Sequence, residues 1–175
     1  VHLEWIRPPD VAAPPDPLQL IQEALDTPIG HVDRSKLKPG IKIGVAILDG
    51  TRPGINPLLL PALLEWFAQA GVGPNQVHLM LASGIHPRPS AEELEKILPR
   101  EVQGDCHFHF HDAYDASKLS SLGTTERGIP VQINEAFLEC EFKVALGLIA
   151  PHQFQGYSGG VKAAAIGLAG RETIE

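Results

Sequence analysis

The sequence predicts an α/β protein, a Rossmann-like parallel sheet with helices on both faces, and two observations support this prediction. Apolar runs of strand length recur along the chain as "IKIGVAILD", "QVHLMLAS" and "FKVALGLI", and each is followed by a polar loop and then a helical pattern. Strands that are apolar on both faces are typical of a parallel sheet covered by helices. The length of 175 residues is close to that of one domain.

The first 40 residues are expected to form an N-terminal arm with one short helix. The stretch "RPPDVAAPPDP" is rich in prolines, which fix φ and remove backbone donors, so it should be extended. The helix is predicted around "LQLIQEAL". Residues 41–175 are then expected to form the Rossmann-like domain.

Three strand-loop-helix units are predicted within this domain. The first joins "IKIGVAILD" to the helix "PLLLPALLEWFAQAG", which ends at a glycine. The second joins "QVHLMLAS" through "GIHPRP" to the helix "SAEELEKIL", and the third joins "FKVALGLI" through "APHQFQGYS" to the helix "GGVKAAAIGLA". Between the last two units, "CHFHFHD" and "GIPVQINEAF" are expected to be further strands or a hairpin.

Composition argues against several classes of protein. The net charge of -7 is the opposite of what a nucleic-acid surface requires. The apolar runs fall well short of the roughly 20 residues of a membrane span. The two cysteines, Cys106 and Cys140, form no CxxC pair, so neither a disulfide framework nor a zinc ribbon is implied and a reducing cytoplasm is predicted.

Ligands of open parallel sheets bind at the carboxyl ends of the strands, where loops and helix N-termini converge. Three loops, "DGTRPGIN", "SGIHPRP" and "PHQFQGYSGGVK", should therefore face one crevice. The polar residues at these strand ends are Asp49, Arg52, His86, His152 and Lys162. Their concentration there predicts a binding or catalytic site.

The first two loops offer an anion-binding group and an acid/base group. Arg52 has the planar fork that binds carboxylate or phosphate, although a local ion pair with Asp49 is an alternative. His86 follows a glycine turn and is suited to general acid/base chemistry, although a single loop histidine is more often a surface residue. Its neighbour Arg88 would add to an anion site.

The third loop does not match the nucleotide-binding P-loop. Val161 separates Gly160 from the lysine, and Ala163 stands where Ser or Thr would hold magnesium. Ser158, Gly159 and Gly160 still open the predicted helix, and free N–H groups there would suit one phosphate. Lys162 would lie in the first helical turn, an unfavourable place for a cation, which suggests a functional task.

A zinc site is a weaker alternative elsewhere in the chain. His107, His109 and His111 alternate in "CHFHFHD", so they would point to one face of a strand and could hold zinc for a hydrolase. The favoured interpretation is a half-exposed strand whose other face carries Cys106, Phe108 and Phe110.

Several motifs together resemble the lactate racemase family, which uses a nickel-pincer nucleotide. They are "DGTRP", "SGIHPRPS", "HD" at 111–112, "GTTERGIPVQIN" and "PHQFQGYSGGVKAAAIGLAG", in the family's order. The likeness extends from about Ile43 to the end of the chain. It implies that residues 41–175 are the N-terminal, cofactor-binding domain of the family.

The resemblance also implies roles for individual residues. Lys162 would hold a pyridinium-derived thioamide/thiocarboxylate mononucleotide covalently, and the sulfur and carbon atoms of this cofactor hold nickel. His86 and His152 would be the acid/base pair. Asp49, Thr51 and Arg52 would approach cofactor and substrate, and Ser158, Gly159 and Gly160 would seat the phosphate. The family's nickel-ligating histidine falls beyond Glu175, so no metal ligand is expected within this chain.

The implied activity is racemisation or epimerisation of a 2-hydroxy acid by proton-coupled hydride transfer. The family's second domain also falls beyond Glu175, so a non-catalytic module that binds an anion or nucleotide is the alternative. Neither hypothesis calls for nucleic acid or a membrane as a partner.

Overall fold

The computed structural model describes residues 4, 9–52, 54–99, 102 and 104–175. The strands are β1 (Ile43–Leu48), β2 (Val77–Ala82), β3 (His107–Phe110), β4 (Leu119–Thr124), β5 (Pro130–Asn134), β6 (Phe142–Ala145), β7 (Pro151–His152) and β8 (Gly156–Tyr157). The α-helices are α1 (Pro17–Asp26), α2 (Asn56–Gln69), α3 (Ala91–Ile97), α4 (Glu135–Leu138), α5 (Lys162–Ala165) and α6 (Arg171–Ile174).

Four strands form a fully parallel central sheet in the spatial order β3-β2-β1-β6. Side chains alternate between its two faces, as the pleat requires. In β1, Val45 and Ile47 join an apolar cluster that contains Phe67 of α2, whereas Ala46 joins a second cluster that contains Phe137 of α4. Helices therefore cover both faces, and the predicted α/β fold with a parallel sheet is confirmed.

Local sequence explains where the helices of the first two units begin. Ser90 and Glu93 form a capping box at α3, since the Ser90 hydroxyl accepts from the Glu93 amide at 3.3 Å and the Glu93 carboxylate accepts from the Ser90 amide at 2.8 Å. At the start of α2, the buried Asn56 donates from Nδ2 to the Leu48 carbonyl at 2.9 Å. That bond ties the helix to the end of β1 and restrains the loop between them.

The third unit departs from its predicted form. "FKVALGLI" is a strand only over Phe142–Ala145, and the predicted loop contains the antiparallel pair β7 and β8. The predicted helix "GGVKAAAIGLA" is helical only over Lys162–Ala165. Gly159 and Gly160 explain part of this difference, because their φ values of 80° and 57° do not fit a right-handed helix.

Two segments were expected to be either further strands or a hairpin, and the structure contains both. "CHFHFHD" supplies β3, which extends the parallel sheet next to β2. "GIPVQINEAF" supplies β5, which pairs with β4 in an antiparallel hairpin, and also α4.

The predicted N-terminal arm lies partly outside the described residues. Over residues 9–16 the chain forms neither helix nor strand, and α1 follows as expected. Arg34 then lies over the Trp66 ring of α2, with 5.3 Å between the guanidinium carbon and the ring centroid. Within the described residues, no helix combines the length and the apolar character that a membrane span requires.

The order of the strands indicates which edge of the sheet suits a ligand. Chain order reverses beside β1, since β2 and β3 lie on one side of it and β6 on the other. Such a switch point opens a crevice at the carboxyl ends of the two strands that flank it. Here those ends lead into the loop that begins at Asp49 and the segment that leads to His152.

Candidate functional site

A cavity of about 520 Å³ opens at the switch point, and all three predicted loops line it. Most of the predicted site residues contribute to its wall: Asp49, Thr51, Arg52, His86, His152, Ser158, Gly159 and Lys162. Gly160 is next to a lining residue but is not part of the wall. The fold thus brings together side chains that are up to 113 positions apart in the sequence, from Asp49 to Lys162.

Asp49 joins the first two loops through its two carboxylate oxygens. Oδ1 accepts from the Thr51 amide at 3.2 Å and from the Thr51 hydroxyl at 2.6 Å. Oδ2 lies 2.6 Å from Nδ1 of His86. Within the described part of the chain Asp49 forms no ion pair with Arg52, so the local pair considered from the sequence does not form.

His86 is held by its backbone as well as by Asp49. Its amide donates to the Ser83 carbonyl at 2.9 Å, and the amide of Gly84 donates to the Gly167 carbonyl at 2.9 Å. Half of the His86 side chain stays exposed on the cavity side of the sheet edge, whereas the Asp49 side chain is only 11% exposed. With the Asp49 carboxylate on Nδ1, Nε2 is the nitrogen available to a ligand.

Arg88 does not join this site, contrary to the sequence expectation. Its guanidinium carbon lies 3.6 Å from the centroid of the Phe110 ring, in a separate hollow of about 360 Å³. The following Pro89 and the capping box of α3 carry the chain away from the crevice after His86. The Arg and Lys side chains that line the cavity are therefore Arg52 and Lys162.

His152 enters the cavity from β7, on a hairpin of two residues per strand. Its Nδ1 accepts a hydrogen bond from the Phe154 amide at 3.2 Å. Partial burial, Lys162 and Arg52 together lower the pKa of His152, because each disfavours the imidazolium form. Burial and Arg52 likewise lower the pKa of Lys162.

The turn that precedes Lys162 is built from two glycines in the left-handed region. Both residues have positive φ, 80° for Gly159 and 57° for Gly160, a conformation that glycine adopts without strain. Neither the Gly159 nor the Gly160 amide donates to another described residue. Ser158 differs, because its hydroxyl and its amide both bond to the backbone of residues 148–150.

The three alternating histidines form no zinc site. His78 stacks on His107 and on His109, with ring centroids 4.6 Å and 5.2 Å apart, and its Nδ1 lies 2.9 Å from Nε2 of His109. His111 is buried beyond the end of the strand. Among the described residues, no three His, Cys, Asp or Glu side chains are arranged to hold a metal ion.

His111 has a structural position that sequence inspection missed. Its Nε2 lies 2.9 Å from the Ala169 carbonyl, and its Nδ1 lies 3.3 Å from Nδ2 of Asn134. Burial lowers the pKa of His111, which agrees with a neutral ring that bridges these two groups. The bridge fixes the segment behind Lys162 to the end of β3.

Sequence inspection also missed the apolar part of the cavity wall. It includes Phe154, Ile166 and Ile174, and the last of these belongs to α6. No local signal marks these residues, because an isolated apolar side chain near a glycine-rich turn is compatible with many positions.

The fold and the crevice together define a class: a parallel α/β domain whose switch point carries a cavity of small-molecule size, lined by cationic side chains that suit an anionic ligand. The sequence matches the model of the lactate racemase N-terminal domain over residues 1–175, and the chain belongs to this family.

Relatives with assigned names agree with this membership. The chain is 30% identical over 156 residues to the lactate racemase of Thermoanaerobacterium thermosaccharolyticum, a match over 89% of this chain and 36% of that protein. It is 28% identical over 159 residues to the lactate racemase of Lactiplantibacillus plantarum, a match over 89% of this chain and 37% of that protein. The structure of the lactate racemase apoprotein from T. thermosaccharolyticum superposes with a TM-score of 0.80 at 28% identity, over 90% of this chain and 38% of that one. The chain spans little more than a third of the length of these relatives.

Proposed function

We propose that the complete protein is a 2-hydroxy acid racemase or epimerase whose nickel-pincer nucleotide is attached to Lys162. The observation that carries this proposal is the convergence of His86, His152, Arg52 and Lys162 on one cavity at the switch point. The relatives that bear the name lactate racemase support the reaction class and make lactate the first substrate to test.

The residues present fit such a cofactor. A volume of about 520 Å³ lies within the roughly 300–1,000 Å³ of typical small-molecule sites. The unpaired amides of Gly159 and Gly160 would hold the phosphate of the nucleotide. The lowered pKa of Lys162 increases the share of its neutral, nucleophilic amine, which favours a covalent bond at Nζ.

Arg52 is proposed to bind the carboxylate of the hydroxy acid. Its guanidinium faces the cavity, and its planar fork matches a carboxylate in two-pronged geometry. Asp49 is engaged with Thr51 and His86, so it does not neutralise Arg52. Thr51 contributes by fixing the carboxylate that supports His86.

The two histidines are proposed to move the hydroxyl proton. One imidazole takes the proton from the substrate at its free nitrogen, and the other returns a proton when the opposite configuration forms. When bound, the cofactor supplies reversible acceptance of the α-hydrogen as hydride. A reaction that can proceed from either face needs a proton carrier near each face, and His86 and His152 come from different loops of the crevice.

A cytoplasmic location belongs to the same proposal. Both cysteines are free thiols, and burial raises the pKa of Cys106 to about 11, so this thiol is poorly reactive. Free, unreactive thiols suit a reducing compartment.

The test is the intact mass of the full-length protein after co-expression with the enzymes that make the cofactor. The wild type should carry a covalent adduct and nickel and should racemise lactate or a related 2-hydroxy acid. Lys162→Arg keeps the charge but should carry no adduct. An unmodified wild-type mass without nickel would overturn the proposal, and retained binding of a nucleotide would then favour the non-catalytic module.

A further inference from the structure

Ser158 uses its side chain to close the loop that carries His152. Its hydroxyl donates to the Leu148 carbonyl at 2.8 Å and accepts from the Ala150 amide at 3.1 Å. Its own amide donates to the Ala150 carbonyl at 2.8 Å. The hydroxyl also lies 3.3 Å from the Ala150 carbonyl, so residue 158 is joined to the backbone of residues 148–150 at several points.

The hairpin inside this loop has little else to stabilise it. β7 and β8 pair over two residues each, and such a short pair is marginal in water. Its large side chains are not part of a core, since Phe154 is 84% exposed and Tyr157 is 68% exposed. The closure at Ser158 consequently has a large share in fixing the conformation of the segment.

At the base of the loop, the backbone of Gly159 packs against the backbone of Leu148. A Cβ atom at Gly159 would lie 2.8 Å from the Leu148 carbonyl oxygen, a distance that real side chains essentially never show. The segment from Leu148 therefore lies directly against the turn that leads to Lys162. Ser158 lies at the junction, six residues after His152 and four before Lys162.

We propose that Ser158 is a positioning residue that fixes His152 relative to Lys162, rather than a ligand of the cofactor phosphate. A hydroxyl has one proton, and in Ser158 the backbone already offers that proton two acceptors, the Leu148 carbonyl at 2.8 Å and the Ala150 carbonyl at 3.3 Å, while the oxygen accepts a backbone amide. This role rests on the proposed function, because it assigns Ser158 to the placement of an acid/base group. It replaces the phosphate contact expected from the sequence.

The first test needs no cofactor. Full-length, cofactor-free Ser158→Ala, Ser158→Thr and wild type are digested with chymotrypsin, and cleavage after the exposed Phe154 is followed by mass spectrometry. Ser158→Ala should be cleaved about 10-fold faster, because a loosened loop opens more often and each tenfold change corresponds to about 1.4 kcal/mol. Ser158→Thr retains the hydroxyl and should restore slow cleavage. The matched control is Ser121→Ala, an exposed serine of the β4 strand, which should be cleaved after Phe154 at the wild-type rate.

The second test uses the protein loaded with cofactor. Ser158→Ala should form the Lys162 adduct to the same extent as wild type, with kcat lowered about 10- to 100-fold and KM unchanged, since the misplaced group acts on the chemical step. Loss of the adduct with unchanged cleavage after Phe154 would show a phosphate ligand and overturn the proposal. Behaviour identical to Ser121→Ala in both tests would overturn it as well. A wild type without adduct would overturn the proposed function, while the digestion would still decide whether Ser158 closes the loop.

Discussion

The two histidines of the crevice have the same proposed task but very different surroundings. His86 follows a mostly buried strand and has a carboxylate oxygen 2.6 Å from Nδ1. His152 lies on a two-residue strand, accepts a backbone amide at Nδ1 and has Lys162 and Arg52 as its charged neighbours. The neighbour of His86 is thus an acidic side chain, whereas the neighbours of His152 are cations that disfavour its imidazolium form.

This difference indicates that the crevice is electrostatically asymmetric. A carboxylate lies beside His86, whereas two cations face His152 and help to lower its pKa. A pair of identical side chains can therefore divide the work of a proton donor and a proton acceptor through their neighbours alone.

The largest effect is expected when either imidazole is removed. His86→Gln and His152→Gln should each lower kcat by about 10²- to 10⁴-fold, the usual contribution of a general acid or base, while intact mass still shows the Lys162 adduct. Turnover of both enantiomers should be measured with each variant. Near-normal turnover in one variant would show that a single histidine suffices, and the two histidines would then not act as a pair.

A smaller loss should follow from removal of the carboxylate behind His86. In Asp49→Asn, the amide oxygen can still accept hydrogen bonds from Thr51, but the side chain carries no negative charge next to His86. The kcat should therefore fall about 10- to 100-fold. The control is Asp33→Asn, because Asp33 accepts the same local bonds, from the Ser35 amide at 3.2 Å and its hydroxyl at 2.5 Å, but lies outside the cavity and forms no hydrogen bond with a described histidine. Equal activity of the two variants would contradict a role for Asp49 in supporting His86.

The smallest expected effect concerns the pKa of His152. Arg52→Gln removes a positive charge that helps to lower the pKa of His152, so this pKa should rise toward its ordinary value of about 6.5. The His152 ring signals can be titrated by NMR in cofactor-free protein, with Arg52→Lys as the charge-conserving control. A rise in Arg52→Lys equal to that in Arg52→Gln would mean that the charge of residue 52 does not set the pKa.

Much of the fold could be predicted because the first two units carry clear local signals. The apolar run of β1 and the capping box at Ser90 and Glu93 each specify their own element. The third unit was predicted less well, since its helix was expected over residues 159–169 and forms only over Lys162–Ala165. At the start of this segment, the positive φ of Gly159 and Gly160 and the packing of Gly159 against Leu148 prevent the helix from beginning earlier.

By itself, the sequence determined which side chains stand at the ends of strands, because strand periodicity and loop position are local properties of the chain. That was enough to bring Asp49, Arg52, His86, His152 and Lys162 to one edge of the sheet. Only the tertiary structure decided the partners of these residues: Asp49 with His86, Arg88 with Phe110, and the Ser158 hydroxyl with Leu148. Hydrogen bonds and ring contacts act over a few ångströms, so they depend on how distant segments pack, and that packing is not written in any single stretch of sequence.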